Sequence, residues 1–202
     1  MGKWKLAGST AAIALLAGTG AFADVTPEEV WQHWQDMSAS YGQTLTAGSA
    51  VRDGDALLVK DVAIGYDKDG VVVDGKIPEM TFTDKGDGTV EITMSDTYPL
   101  NMTVPGTATD TAPATPTNLT ITVAEPGMTM QASGTPEAIS YVFNAPTLDI
   151  TLTAINGVDA AAVDATVQVN LTNVVGNYMV EGDATVKNIG SSFAVDTAKI
   201  TV

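Results

Sequence analysis

The sequence predicts a mainly β protein, a curved antiparallel sheet of many short strands with one N-terminal amphipathic helix. From Leu45 onward, apolar and polar residues alternate with period two, whereas helical periodicity is confined to the segment after Asp24. Turn residues recur between the alternating segments. Roughly a dozen strands with one apolar face each cannot stay flat, because one helix covers too little of that face. The sheet is therefore expected to be a half-barrel, a barrel or a sandwich.

Residues 1–23 are predicted to be a secretory signal peptide. Lys3 and Lys5 precede an apolar run over residues 6–18, and the small-residue cleavage signal AFA follows. The run is shorter than the roughly 20 residues of a membrane-spanning helix, so cleavage is favoured over an uncleaved anchor. We therefore expect a periplasmic mature chain, residues 24–202, without a transmembrane span.

The mature chain begins with a predicted helix from about Pro27 to Tyr41. Thr26 is a favourable N-cap, Pro27 suits the first helical position, and Glu29 completes a capping box. Gly42 is expected to end the helix. His33 lies on the flank of the apolar stripe and is predicted to be a boundary residue rather than a catalyst. The stripe itself consists of Val30, Trp34, Met37 and Tyr41, with Trp31 beside it.

The strands that follow are expected to form a single domain, residues 24–202. Hairpin turns are predicted at DKDG, residues 67–70, and at DKGDG, residues 84–88. Between these turns the apolar positions change from odd to even, so a bulge is expected at Pro78 and Glu79. A flexible loop rich in Pro, Thr and Ala is predicted over residues 105–118, and a linker between two domains is the alternative.

Another strand is predicted over the segment VDATVQVNLTNV, residues 163–174. Apolar residues from Val163 to Leu171 alternate there with polar ones, and the polar set contains no lysine or arginine. We expect one face of this strand to contact a core or a cavity and the other face to contact water.

Composition excludes several classes of partner and chemistry. Without Lys3 and Lys5 the chain has seven basic and 24 acidic residues, a formal charge of −17, so nucleic acid is a poor partner. Cysteine is absent, and no nucleophile motif, P-loop or metal-spaced histidine pair is present. No enzymatic activity, cofactor or metal site is therefore predicted. Weak calcium binding by turn carboxylates is the alternative, at Asp67, Asp69, Asp84 and Asp87.

Three segments carry a resemblance to a known family. They are DVTPEEVWQHWQDMSASYG, KIPEMTFTDKGDGTVEITMSDTYP and SGTPEAISYVFNAPTLDI, in this order. Together they resemble the N-terminal part of an uncharacterised family of exported alphaproteobacterial proteins, the domain of unknown function 2125. The resemblance implies a periplasmic location and a β-rich fold, and it implies no activity. Compared members are longer, so it also implies a short or incomplete member.

Two functions from different classes fit these predictions. The first is a binding or carrier module that holds a lipid or other amphiphile on the apolar face, beneath the helix. Methionine suits such a site because its side chain adapts to varied ligands. The second is a structural or protein-interaction module of the cell envelope, with a dry core and an envelope protein as its partner. The ligand-binding residues predicted for the first function are Trp31, Trp34, Met37, Met94, Met128 and Met130.

Overall fold

A computed structural model describes most of the chain after residue 23. The predicted signal peptide lies outside the described residues, as does the middle of the predicted flexible loop. The described part comprises residues 24–108, 114–165, 167–182 and 187–202.

The helix forms as predicted, and its start is fixed by a capping box. Helix α1 spans Pro27–Ser40, and Thr26 is its N-cap. The Thr26 hydroxyl accepts a hydrogen bond from the Glu29 N–H, and the Glu29 carboxylate accepts one from the Thr26 N–H at 2.9 Å. At the other end, Gly42 adopts a left-handed backbone with φ of 72°, which glycine tolerates without strain.

The described residues contain thirteen strands in one antiparallel sheet, which confirms the predicted mainly β class. Both predicted hairpin turns connect strands at the expected positions. The strands are β1 (Gln43–Thr46), β2 (Ser49–Asp53), β3 (Ala56–Lys68), β4 (Val71–Asp84), β5 (Val90–Met94), β6 (Thr97–Val104), β7 (Thr117–Ala124), β8 (Thr129–Thr135), β9 (Ala138–Ile155), β10 (Val158–Asp159), β11 (Gln168–Gly182), β12 (Lys187–Ala194) and β13 (Thr197–Thr201).

Apart from the two-residue strand β10, which pairs only with the end of β9, the described sheet is an up-and-down meander with eight strand positions. Four positions are single long strands, β3, β4, β9 and β11, and these have 13 to 18 residues. The other four are split strands, in which two short strands lie end to end: β1/β2, β5/β6, β7/β8 and β12/β13. The long strands exceed the predicted length because pairing continues through the points where the alternation slips. β6 and β7, which flank the predicted flexible loop, pair with each other.

One line of interruptions, here called the crease, crosses the sheet at mid-strand. Asp61 lies opposite Pro78, and Pro146 lies opposite Asn173. None of these four residues is paired with a residue of the neighbouring long strand. Proline has no N–H to donate, and Asp61 and Asn173 have positive φ values of 51° and 50°. The split strands break at the same level. The bulge predicted near Pro78 is therefore one point on a feature of the whole sheet.

The sheet curves around α1 on one side of the crease. The Trp34 ring lies 5.6 Å from Phe82 of β4 and 6.2 Å from Tyr141 of β9, centroid to centroid. Three strand spacings separate β4 from β9, about 14 Å on a flat sheet, so one indole can contact both rings only if the sheet bends. This side of the crease, with β2, β5, β8 and β12, is here called the helix-covered half. The second half of α1 also contacts β1 across the crease, where the Gln35 amide donates a hydrogen bond to the Leu45 backbone carbonyl at 3.1 Å.

The sheet remains open among the described strands. Split strand β1/β2 forms one edge and β12/β13 the other, and they do not pair with each other. A second difference from the sequence prediction lies before β11, which begins at Gln168 rather than at Val163. Val163 instead ends a short 3-10 turn that the Asp159 carboxylate caps, and Asp164 follows with φ of 53°. Local capping thus overrides the alternation.

Candidate ligand-binding face

The helix-covered half is filled by protein side chains. Trp31 is 7% exposed and its ring lies 5.9 Å from Phe82, which is fully buried. Trp34 lies across Phe82 and Tyr141 in edge-on and tilted contacts. The structure therefore brings the predicted residues Trp31 and Trp34 together, but it places them on aromatic rings of the core. The space directly beneath the helix is occupied by those rings.

A polar cluster lies at the centre of this aromatic core. The Nδ1 atom of His33 is 2.8 Å from the Tyr141 hydroxyl, and Tyr141 stacks on Tyr178 with ring centroids 4.5 Å apart. His33 is only 8% exposed, so its prediction as a boundary residue is wrong. Burial raises the pKa of Tyr141 and of Tyr178 well above the usual tyrosine range. Both hydroxyls stay protonated at neutral pH, which suits a structural hydrogen bond and not a base or nucleophile.

The Trp34 indole contributes a further buried donor to this cluster. Its Nε1 atom makes no hydrogen bond, although the Tyr141 and Tyr178 hydroxyls are near enough to interact with it weakly. A buried donor without a good partner destabilises the fold by about 1–3 kcal/mol, and the large apolar contact of the ring offsets this.

Three of the predicted methionines meet at the border of the helix-covered half. Met128 is 8% exposed and packs with Ala145 and Val174, while Met94 and Met130 are half-buried and contact both this group and the main core. Met37 is half-buried on the helix and belongs to neither core cluster.

Tyr41 departs from the predicted helix stripe. It is 56% exposed because it is the C-cap residue and no longer follows the helical turn. The predicted apolar stripe thus ends before Tyr41, and Pro27, Val30, Trp31 and His33 form the buried side of the helix instead.

Beyond the crease, the inner face of the sheet is apolar, and its residues away from β1 and α1 belong to neither buried core cluster. The register places its side chains in rows across neighbouring strands, such as Leu100, Ile121 and Leu152. Each of these side chains is half-buried, in contrast to the fully buried residues under the helix. We call this surface the uncovered face, and it comprises Val73, Leu100, Met102, Leu119, Ile121, Ile150, Leu152 and Val169.

The opposite, outer face of the same strands is polar, and its side chains form hydrogen bonds with side chains of the neighbouring strands. The Asn101 amide donates to the Asp74 carboxylate at 3.3 Å, and the Thr120 hydroxyl donates to the Asn101 carbonyl at 3.2 Å. On β9 and β11, the Asn170 amide donates to the Asp149 carboxylate at 2.5 Å. These side-chain ladders orient the strands, so that alternate residues are held on the inner face.

One carboxyl group is buried where the uncovered face meets the crease. Glu125 is 8% exposed, and its Oε1 atom has no hydrogen-bond partner. The Tyr98 hydroxyl, on the neighbouring strand, is near enough to interact with the same carboxyl group. Burial raises the pKa of Glu125, and the interaction with Tyr98 offsets only part of that rise. Glu125 and Tyr98 are therefore polar groups at one end of the uncovered face, whose other side chains are aliphatic or methionine.

Glu125 and Tyr98 were not predicted from the sequence. Glu125 lies in the turn sequence AEPGM, where an acidic residue before Pro-Gly is typical of an exposed loop. Its burial depends on the pairing of β6 with β7, which brings Tyr98 beside Val123. Met102 and Ile121 were visible as alternating apolar residues, and no signal distinguished them from residues of a closed core.

Depressions of about 260 to 450 Å³ occur along the sheet and are lined mainly by outward-facing residues. Of the six predicted ligand-binding residues, Met130 lines the smallest of these depressions, and the other five line none of these four. The carboxylates considered for calcium lie at opposite ends of the sheet, since Asp67 and Asp69 flank one end of β4 while Asp84 and Asp87 flank the other. Within the described ranges, no group of three or more metal-binding side chains could hold an ion.

No described helix has the length and apolar character to cross a membrane.

Comparisons with protein-family models, curated proteins and solved structures found no match for the chain.

Proposed function

We propose that this protein is a non-catalytic binding or carrier module of the bacterial periplasm, which holds a lipid or other amphiphile in the groove of its curved sheet. The observation that supports it is the uncovered face. A contiguous apolar surface beside a well-packed core is typical of an interaction site in an otherwise polar protein.

The composition of the uncovered face favours a flexible aliphatic ligand. Its side chains are aliphatic or methionine, as in Leu100, Met102 and Ile121, and they present no charge to a bound chain. Under this proposal the acyl chain lies along the uncovered face. Trp31 and Trp34 fill the helix-covered half, so the ligand site ends at their side of the groove. Met94, Met128 and Met130 then form the inner end of the ligand site.

The pair of Glu125 and Tyr98 offers a contact for the polar part of the ligand. Its free Oε1 atom accepts a hydrogen bond from a hydroxyl, amide or ammonium group when ionised, and donates one when protonated. An amphiphile with such a group beside its acyl chain satisfies this oxygen as well as the apolar face. A plain hydrocarbon leaves the oxygen unsatisfied, so it should bind less tightly.

Export to the periplasm is part of the same proposal, and the predicted signal peptide supports it. Expression of the full chain in a Gram-negative host should yield a periplasmic protein whose first residue is Asp24. N-terminal sequencing of the periplasmic fraction checks this, and an uncleaved Met1 in a membrane fraction would contradict it.

The alternative function is a structural or protein-interaction module of the cell envelope. The aromatic core under the helix favours this alternative, because Phe82 and Tyr141 leave no ligand space there. It predicts that the uncovered face contacts another protein and has no affinity for lipids.

Binding of a fluorescent fatty acid to the purified periplasmic protein tests the proposal. We expect Ile121→Asp to abolish binding, because it places a charge in the centre of the uncovered face. Thr122→Asp is the matched control, since Thr122 is the next residue of the same strand and points to the outer face. It should retain the affinity of the unchanged protein.

Trp34→Ala separates ligand binding from stability. It removes a core contact and should lower the melting temperature while leaving the affinity for the fatty acid within about threefold, a difference below 1 kcal/mol. Equal affinities of the unchanged protein and Ile121→Asp would overturn the proposal. A complete lack of binding by the unchanged protein would favour the structural alternative.

A further inference from the structure

The sheet consists of two copies of the same four-position unit. Each unit begins with a split strand, continues with two long strands and ends with another split strand. The first unit is β1/β2, β3, β4 and β5/β6, and the second is β7/β8, β9, β11 and β12/β13. In both units, one residue of each long strand is left out of the pairing at the crease, and the two unpaired residues lie opposite each other. These residues are Asp61 and Pro78 in the first unit, and Pro146 and Asn173 in the second.

The sequence shows the same relation at the end of each unit. GDGTVE, from Gly86 to Glu91, corresponds to GDATVK, from Gly182 to Lys187. Further on, the dipeptide at Asp96 and Thr97 corresponds to the one at Asp196 and Thr197, and in each case Thr is the first residue of the second short strand. The final split strand of the chain is therefore the counterpart of β5/β6.

These two counterparts differ in what lies beside them. β5/β6 pairs with β7/β8, the first split strand of the next unit, and its inward residues Val90 and Ile92 are fully buried. β12/β13 pairs only with β11 among the described strands, and its inward residues Ile189 and Phe193 are 42% and 76% exposed. The same position in the repeat is thus completed in one unit and incomplete in the other.

Exposed apolar side chains cluster at the incomplete edge. Of the twelve large exposed hydrophobic residues in the described chain, three belong to β12/β13 and one follows β13: Ile189, Phe193, Ile200 and Val202. Val175 and Met179 lie on the adjoining strand β11. An exposed, long and apolar edge strand is a template for pairing with another strand.

The charge of this edge also favours a second copy of the chain. Residues 187–202 contain Lys187, Lys199 and Asp196, a formal charge of +1, whereas the whole chain has −15. The other edge, β1/β2, has one positive and one negative residue, Arg52 and Asp53. The two edges therefore do not repel each other electrostatically, whereas two copies of the remaining acidic surface would.

We propose that β12/β13 of one molecule pairs with β1/β2 of a second molecule, as β5/β6 pairs with β7/β8 inside the chain. The relation is head-to-tail, because β1/β2 is the counterpart of β7/β8. The joined sheets continue the meander across the junction, and each added molecule leaves one free edge of each kind. This pairing does not depend on the ligand-binding proposal.

Mixing of two edge variants tests the proposal. Phe193→Lys places a charge on the β12/β13 edge, and Val51→Lys places one on the β1/β2 edge, where Val51 is 58% exposed. Multi-angle light scattering between about 1 μM and 1 mM covers weak and moderate affinities. We expect the unchanged protein to form dimers and larger species as its concentration rises, and each variant alone to stay monomeric. An equimolar mixture of the variants should form a dimer and nothing larger.

Val158→Lys changes another exposed valine, 48% exposed and away from both edges, and it should assemble like the unchanged protein. Circular dichroism should show the same sheet content in all variants, and Ile200→Lys replaces Phe193→Lys should that variant unfold. A monomeric unchanged protein at 1 mM would overturn the proposal. Self-association of Val51→Lys would overturn the head-to-tail arrangement in favour of pairing between like edges.

Discussion

The helix-covered half and the uncovered face are built from the same eight strand positions, yet their side chains have different surroundings. Under the helix, Phe82 and Tyr141 are fully buried and contact Trp34. Across the crease, Ile121 and Leu152 occupy equivalent inward positions and remain half-exposed. The period-two alternation is equally regular in both regions. Alternation therefore specifies which face is apolar, and a separate element specifies whether that face is filled.

Stability and binding should divide between the two regions for this reason. The helix-covered half has aromatic contacts and a buried hydrogen bond, which stabilise the fold. The uncovered face has aliphatic surface that the described chain does not use for packing. Substitutions in the first region should mainly change the free energy of unfolding, and substitutions in the second should mainly change binding.

Truncation of one buried ring should give the largest effect. Phe82→Ala removes a side chain that both indoles contact, so we expect the free energy of unfolding to fall by about 3–5 kcal/mol. Ile121→Ala on the uncovered face should cost less than about 2 kcal/mol, because part of its side chain is already in water. Urea denaturation of both variants measures the difference, and equal losses would contradict the distinction between the two regions.

The buried hydrogen bond should give an intermediate effect. Tyr141→Phe removes the hydroxyl that lies 2.8 Å from His33 Nδ1 and should cost about 1–3 kcal/mol. Tyr41→Phe is the control, because Tyr41 is 56% exposed and its replacement should change stability by less than about 0.5 kcal/mol. Thermal denaturation of the two variants compares them directly. A neutral Tyr141→Phe would mean that the hydrogen bond contributes no net stability.

The smallest effect should come from Glu125, at the border of the two regions. Burial raises the pKa of Glu125 in the folded protein above its unfolded value of about 4.3. Its contribution to stability is therefore fully present below the unfolded pKa and is lost as the pH rises through the folded pKa. Glu125→Gln should stabilise the protein by less than about 1 kcal/mol at pH 8 and leave it nearly unchanged at pH 4.

A pair of pH-dependent unfolding curves checks this prediction. Glu137→Gln is the matched control, since Glu137 is exposed and its replacement also removes one carboxyl group. A Glu125→Gln profile that parallels that of the unchanged protein would show that this carboxyl group is not the buried titrating group.

Local features of the fold were predictable because they depend on neighbours in the sequence. The capping box of Thr26 and Glu29, the turns at residues 67–70 and 84–88, and the irregularity at Pro78 all follow from residue types over a few positions. The error at Val163 has a local cause as well, since Asp159 and Asp164 favour a capped turn over a strand.

The candidate site was less predictable because it depends on contacts between distant segments. His33 and Tyr141 are 108 residues apart in sequence, and only the curvature of the sheet brings them together. The burial of Glu125 likewise depends on Tyr98 across a strand pair. The prediction correctly grouped Trp31 with Trp34 on one helix, but which half of the groove the helix covers is set by the sheet as a whole.

The most direct test of the proposed carrier function is native mass spectrometry of the protein, purified from a bacterial periplasm without detergent. We expect a bound mass in the lipid range that is absent from Leu152→Asp, on the uncovered face, and retained by Thr151→Asp, its neighbour on the outer face. An unchanged protein that carries no bound mass, and that takes up none when a fatty acid is added, would contradict the account.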